Sequence, residues 1–157
     1  MTPAEARAAM LAEGALELRN GQLDLTPQGQ RALDAFLAEL PTLQKMFDVF
    51  TRHPTLTIEG YDRPDRPGFT ESWVALAKAV DQFERALAWL RQVPTVKTPQ
   101  HEAYWTKHQC QRWAGGYVSP GALLCAALHL SVPVRLDAYG NAFLGLCSYR
   151  KWPGWPK

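Results

Sequence analysis

Cysteine is sparse in this chain: Cys110, Cys125 and Cys147 make an odd count without close spacing. That excludes a secreted disulfide framework and leaves reduced, buried thiols as the plain reading. CxxC and HxxxH spacings are missing, and although Cys125 and His129 are four apart, no full ligand set follows, so neither a metal nor a cofactor is expected. P-loop, GxGxxG, GxSxG and HExxH motifs are missing as well. The acidic pairs Asp62/Asp65 and Asp81/Glu84 fall in a Pro-rich loop and on a polar helix stripe, and His108 and Cys110 would point about 200° apart around a helix. No catalytic residue is assigned, and the chain is expected not to be an enzyme. No run approaches the roughly 18 apolar residues that a membrane span needs. The start MTPAEARAAM carries Glu5 and no apolar stretch of the signal-peptide kind, which gives a cytoplasmic location as the expectation.

What is present suits a globular domain: 46% hydrophobic and 20% charged residues over 157 positions are enough to bury a core. The net charge of +2 conceals an asymmetry. Residues 1–52 carry five basic against seven acidic side chains, and residues 53–97 balance at six each. Residues 98–157 carry six basic side chains against Glu102 and Asp137, a net +4, together with four of the six Trp, three of the four His and all three Cys. Sparse acids with spaced cations and aromatics suit a surface that meets an anionic partner.

Pattern and punctuation order the chain as follows. Residues 3–13 read as a short helix behind Thr2-Pro3. Leu16, Leu18, Leu23 and Leu25 alternate around Asn20-Gly21, a hairpin signal. Thr26-Pro27 opens a helix that Pro41 should end, and Leu43, Met46, Phe47 and Phe50 predict a second one to about Arg52. Residues 55–59 read as a strand, and the loop GYDRPDRPG at 60–68 as the main internal boundary. Trp73, Leu76, Val80, Phe83, Leu87 and Leu90 form one stripe over 71–92, opposite Lys78, Asp81, Gln82 and Arg85, and predict a long central helix. Residues 99–114 read as a helix ending at Gly115-Gly116, and Ser119-Pro120 as the cap of the next, running to about Leu130. Strands at 132–137 and 141–147 with a Tyr139-Gly140 turn complete a ribbon.

The expected fold is therefore α+β and mostly α. It has two small β-hairpins and a C-terminal helix-turn-helix followed by a ribbon, a winged-helix-like order. Residues 1–60 form a helical and hairpin subdomain, residues 69–157 hold the central helix with the helix-turn-helix and ribbon, and the two make one compact unit.

The second helix of that motif, SPGALLCAALHLS, offers no Arg, Lys, Asn or Gln with which to read base edges. The helix before it supplies Lys107, Gln109, Gln111 and Arg112 as phosphate or partner contacts, and Arg135, Arg150, Lys151, Trp152 and Trp155 extend the candidate surface. His101, Tyr104, His108 and Arg112 follow at steps of three, four and four. They form a stripe that either binds phosphate or carboxylate, with His giving pH sensitivity, or packs its rings while the polar atoms reach water. Trp105 and Trp113 read as core anchors. The tail SYRKWPGWPK either folds back over the domain or docks on a partner; fold-back is the expectation, because residues 148–150 continue the last strand.

Two resemblances add to this. Leu23, Leu25, Thr26, Gly29 and Leu33 resemble the end of a winged-helix module, a wing followed by Leu-Thr-x-x-Gly and a closing helix. Lys107-His108, Trp113, Tyr117-Val118-Ser119, Gly121-Ala122-Leu123, Ala126-Ala127-Leu128 and Asn141-Ala142-Phe143 look like a small uncharacterised family carried on bacterial plasmids, prophages and integrative elements. The second resemblance spans residues 104–145; it implies a mobile-element context and supplies no catalytic residue. The expected function is thus a non-catalytic, nucleic-acid-binding accessory or regulatory protein of a mobile genetic element. The alternative is a protein-binding modulator, such as an inhibitor of a host defence complex.

Overall fold

The computed structural model describes Gly14, residues 16–19 and residues 22–155, which divide into two compact units, 1–41 and 42–157. The chain is α+β, mostly helical, with small antiparallel sheets. The expected helix at 3–13 and the Asn20-Gly21 turn lie outside the described residues.

In the first unit, strands β1 (Leu16–Arg19) and β2 (Gln22–Leu25) pair antiparallel from Leu16↔Leu25 to Arg19↔Gln22. Thr26 then caps helix α1 (Pro27–Arg52): its Oγ1 accepts from Gly29 N at 3.0 Å and donates to the Gly14 carbonyl at 2.6 Å. Pro41 does not end this helix. One helix runs through it, because a proline removes a single N–H from the ladder while the turns on either side keep theirs. The boundary between the two units falls directly after Pro41.

In the second unit the end of α1 contributes Met46, Val49 and Phe50 to the core. The segment expected to be one strand at 55–59 is a two-residue hairpin, β3 (Leu56–Thr57) with β4 (Gly60–Tyr61), because Ile58-Glu59 turns and Thr57 Oγ1 donates back to the Gly60 carbonyl at 2.9 Å. The expected boundary loop lies inside this unit and is pinned there by backbone bonds such as Asp62 N to Thr55 O, 3.0 Å.

The long central helix is broken into α2 (Phe69–Ala77) and α3 (Val80–Leu90), with Ala79 at φ −86°, ψ 41° between them. The break follows from packing: α2 lies on β3, with Trp73 against Phe50 at 5.4 Å, whereas α3 packs on the two helices that follow it. Those are α4 (Ala103–Ala114) and α5 (Pro120–His129), joined through Gly115 in the left-handed conformation (φ 67°). Ser119 caps α5 as its sequence predicts, its Oγ accepting from Ala122 N at 3.1 Å.

The ribbon strands β6 (Val134–Leu136) and β7 (Ala142–Leu144) are shorter than expected and gain a third member. Strand β5 (His101–Glu102) pairs with β7 through His101↔Leu144 and Glu102↔Phe143. Asp137 Oδ1 accepts from Tyr139 N and Asn141 N and so shapes the turn. A 3₁₀ turn at Tyr149–Lys151 follows. Among the described residues no helix is long and apolar enough to cross a membrane.

Helix α5 is the buried axis of this unit: residues 121–127 are all inside, as expected for a helix that is apolar all round. Gly121 permits this. Its N–H donates to the Ile58 carbonyl at 2.9 Å, and a Cβ there would collide with the Thr57 carbonyl oxygen and lie 2.8 Å from Ile58 Cα. The Gly121→Ala variant is therefore expected to lose about 1–3 kcal/mol through overpacking against a backbone that has nowhere to retreat, read as a lowered Tm in thermal unfolding.

Candidate binding face on helix α4

Helix α4 begins at Ala103, after β5, and not at residue 99. His101 therefore sits on a strand, and the four-residue stripe does not form: its strand position turns the ring towards Trp152, 4.8 Å away centroid to centroid. The remaining members do share a face. Tyr104 and His108 meet edge to face at 5.2 Å, and Trp105 joins them at 6.3 Å from His108. Tyr104 is 55% and Trp105 67% exposed. Trp105 is thus a surface ring and not the core anchor expected, and Trp113 is also exposed, beside Gly154. The exposed Arg112 follows in the last helical turn.

Lys107, expected as an open phosphate contact, is 6% exposed. Its ammonium lies over two rings, 5.5 Å from the centroid of Tyr104 and 5.1 Å from that of Tyr117. Each such contact is worth roughly 0.5–2 kcal/mol once water is displaced. Tyr117 is held in place from α3: Arg85 donates to the Tyr117 carbonyl at 3.1 Å, and Gln82 Oε1 accepts from Ser119 N at 2.9 Å. Gln111 Oε1 accepts from Val118 N in the same loop. The sequence places Gln82 and Arg85 opposite the apolar stripe of 71–92 and carries no signal for these loop contacts; Arg85 also pairs with Asp81 at 2.8 Å, as their i,i+4 spacing allows.

Cavities flank this face. One of about 460 Å³ is lined by Ile58, Glu59, Tyr104, Lys107, Tyr117 and Pro120. A second, of about 270 Å³, shares Glu59, Tyr104 and Pro120 with it and reaches Glu102, Tyr139 and Asn141. A third, of about 190 Å³ and open to solvent, is lined by His101, Trp105, Gln109, Tyr149, Trp152 and Trp155. The tail folds back to build that wall. Trp152, which had read as a partner contact, is 6% exposed, packs edge-on against Trp89 at 5.4 Å and donates from Nε1 to the Cys147 carbonyl at 2.9 Å. It is core because an indole with a satisfied N–H gains more from burial than from water. Trp155 packs against Tyr149 at the rim, their rings tilted by 49° with centroids 4.6 Å apart.

The other candidates disperse. Arg150 and Lys151 are exposed on the 3₁₀ turn, and Arg135 lies 4.9 Å over the Phe143 ring on the ribbon. Burial of α5 removes the helix that a helix-turn-helix would insert into a groove, so the accessible surface is that of α4. Burial pushes the Cys110 and Cys125 thiols up to about 12, leaving them inert as nucleophiles at neutral pH. Among the described residues no group of three or more His, Cys, Asp or Glu side chains is placed to hold a metal ion.

Burial, the largest cause in each case, lowers all four histidines below their ordinary value. Lys107 and Arg112 lower His108 further, while a backbone hydrogen bond at Cys147 opposes the shift of His101. The folded chain then binds fewer protons than the unfolded chain near pH 6.5, so stability is greatest above the ordinary histidine range and falls as pH drops through it. The Tm at pH 5 is expected below that at pH 7.5, with imidazole titrations by NMR placing each midpoint under 6.5. No family model, no curated protein and no solved structure matches this chain.

Proposed function

We propose that this protein is a non-catalytic nucleic-acid-binding accessory protein that takes a single strand, not a duplex, along the exposed face of α4. The observation that carries this reading is the run of solvent-facing rings Tyr104, Trp105 and Tyr117 beside Arg112 in the most basic part of the chain. Bases of any identity stack on such rings, and spaced cations follow the phosphates. The buried state of α5 speaks against duplex readout, which needs a helix free to enter the major groove. The resemblance of residues 104–145 to a mobile-element family supports placing this role on a plasmid, prophage or integrative element.

A second reading, a protein partner such as a host defence complex, is favoured by one observation. Glu59 and Glu102 line the same grooves, where carboxylates would meet cationic side chains. Exposed Tyr and Trp also anchor protein interfaces.

Titration of intrinsic fluorescence with oligo-dT separates the two. Binding at low salt that weakens as salt rises is expected, the slope reporting the phosphates neutralised. Tyr104→Ala and Trp105→Ala should each cost about 1–3 kcal/mol of affinity, the worth of one stacked base. No binding of the single strand at low salt, or tighter binding of the duplex, sinks the proposal.

A further inference from the structure

We infer that the cavity at Lys107 is a phosphomonoester site that receives the terminal phosphate of a bound strand or of a free mononucleotide. Lys107 is 94% buried, lines the cavity, and has no hydrogen-bond or ion-pair partner among the described residues. A lysine buried along its stem and left without a counter-ion keeps an unmet demand for an anion, which the two tyrosine faces offset only in part. Its Nζ is not sealed off either, since the single fully enclosed, unpartnered side-chain polar atom among the described residues is His101 Nε2. The ammonium is therefore an empty charge that a ligand can reach.

The surroundings choose the ligand. Pro120 on the cavity wall is the first residue of α5, so the positive end of that helix dipole lies at the site. Its first N–H groups are already taken, Gly121 N by Ile58 O and Ala122 N by Ser119 Oγ, so the helix end adds field but no donors. Tyr104 and Tyr117 flank the cation and leave faces for a base next to the phosphate, and about 460 Å³ lies within the range of small-molecule sites. A phosphodiester within a strand must leave the cavity in two directions, whereas a monoester ends in it. A monoester also carries close to two charges at neutral pH. Glu59 on the same wall opposes any anion, yet it forms no ion pair with Lys107 and is exposed to water that screens it. The strand as source rests on the function proposed above; the phosphate site itself does not.

The test uses the whole chain with inorganic phosphate, thymidine monophosphate and oligo-dT bearing either a 5′-phosphate or a 5′-hydroxyl. Calorimetry should show thymidine monophosphate binding, with thymidine at least tenfold weaker. The phosphorylated strand should bind at least tenfold tighter than the hydroxyl strand, and Lys107→Met should bind both equally. Glu59→Gln, a surface change that leaves folding intact, should tighten phosphate and the monophosphate several-fold. Phosphate but no strand binding would uphold this site while defeating the single-strand reading. The site is overturned if the monophosphate binds no better than thymidine, if acetate or an acidic peptide competes as well as phosphate, or if Lys107→Met keeps the preference for the phosphorylated strand.

Discussion

Everything on the α4 face depends on a close approach of two backbones. Where Gly121 passes under Thr57 and Ile58, no side chain separates the helix from the β3–β4 hairpin, and a hydrogen bond from Gly121 N to Ile58 O joins them. The hairpin turn thereby hangs over the start of α5, and Ile58 and Glu59 become the wall of a cavity whose opposite side is α4. Without that contact Lys107 would face open water, where a lysine is an ordinary solvated cation. With it, the same side chain is enclosed and held between rings.

The second constraint is the loop between α4 and α5. Its Tyr117 could point anywhere on chain geometry alone, yet three side chains hold its backbone: Arg85 and Gln82 from α3, and Gln111 from α4. Each bond satisfies a loop group that α4 and α5 leave unpaired, which is the usual demand at helix ends. Polar residues on the far side of a core helix thus fix an aromatic ring on the binding face. Electrostatics then follow geometry: the Lys107 and Arg112 charges that suit the face to anions also help keep His108 neutral.

Local signals in the sequence carried the punctuated elements. Thr26 and Ser119 caps, the Gly115 stop and the turn before Asn141 were readable because each rests on a hydrogen bond or a dihedral that a single residue supplies. The continuity of α1 through Pro41 and the break at Ala79 were not readable. The break is decided by which distant surface each segment covers, and the apolar stripe from Trp73 to Leu90 runs across it without changing period; Pro41, a stop signal by type, costs the helix only one N–H. The candidate site was half legible. Residue types marked α4 and the tail correctly as the aromatic and basic region, but exposure was exchanged: Trp105 stays outside while Lys107 and Trp152 go in. Periodicity ranks faces of a helix; it does not say which face meets the hairpin, the loop or the tail.

Trp152 closes the core from a segment more than sixty residues downstream of Trp89, the buried indole it packs against. Strand β7, which completes the sheet with β5, likewise comes some forty residues after its neighbour in the sheet. During synthesis α3 and α4 therefore leave the ribosome with one flank uncovered, and the chain must wait for residues 142–155 before either helix is fully packed. A polypeptide cut short before that point lacks the indole that covers Trp89, so its core stays open along that flank.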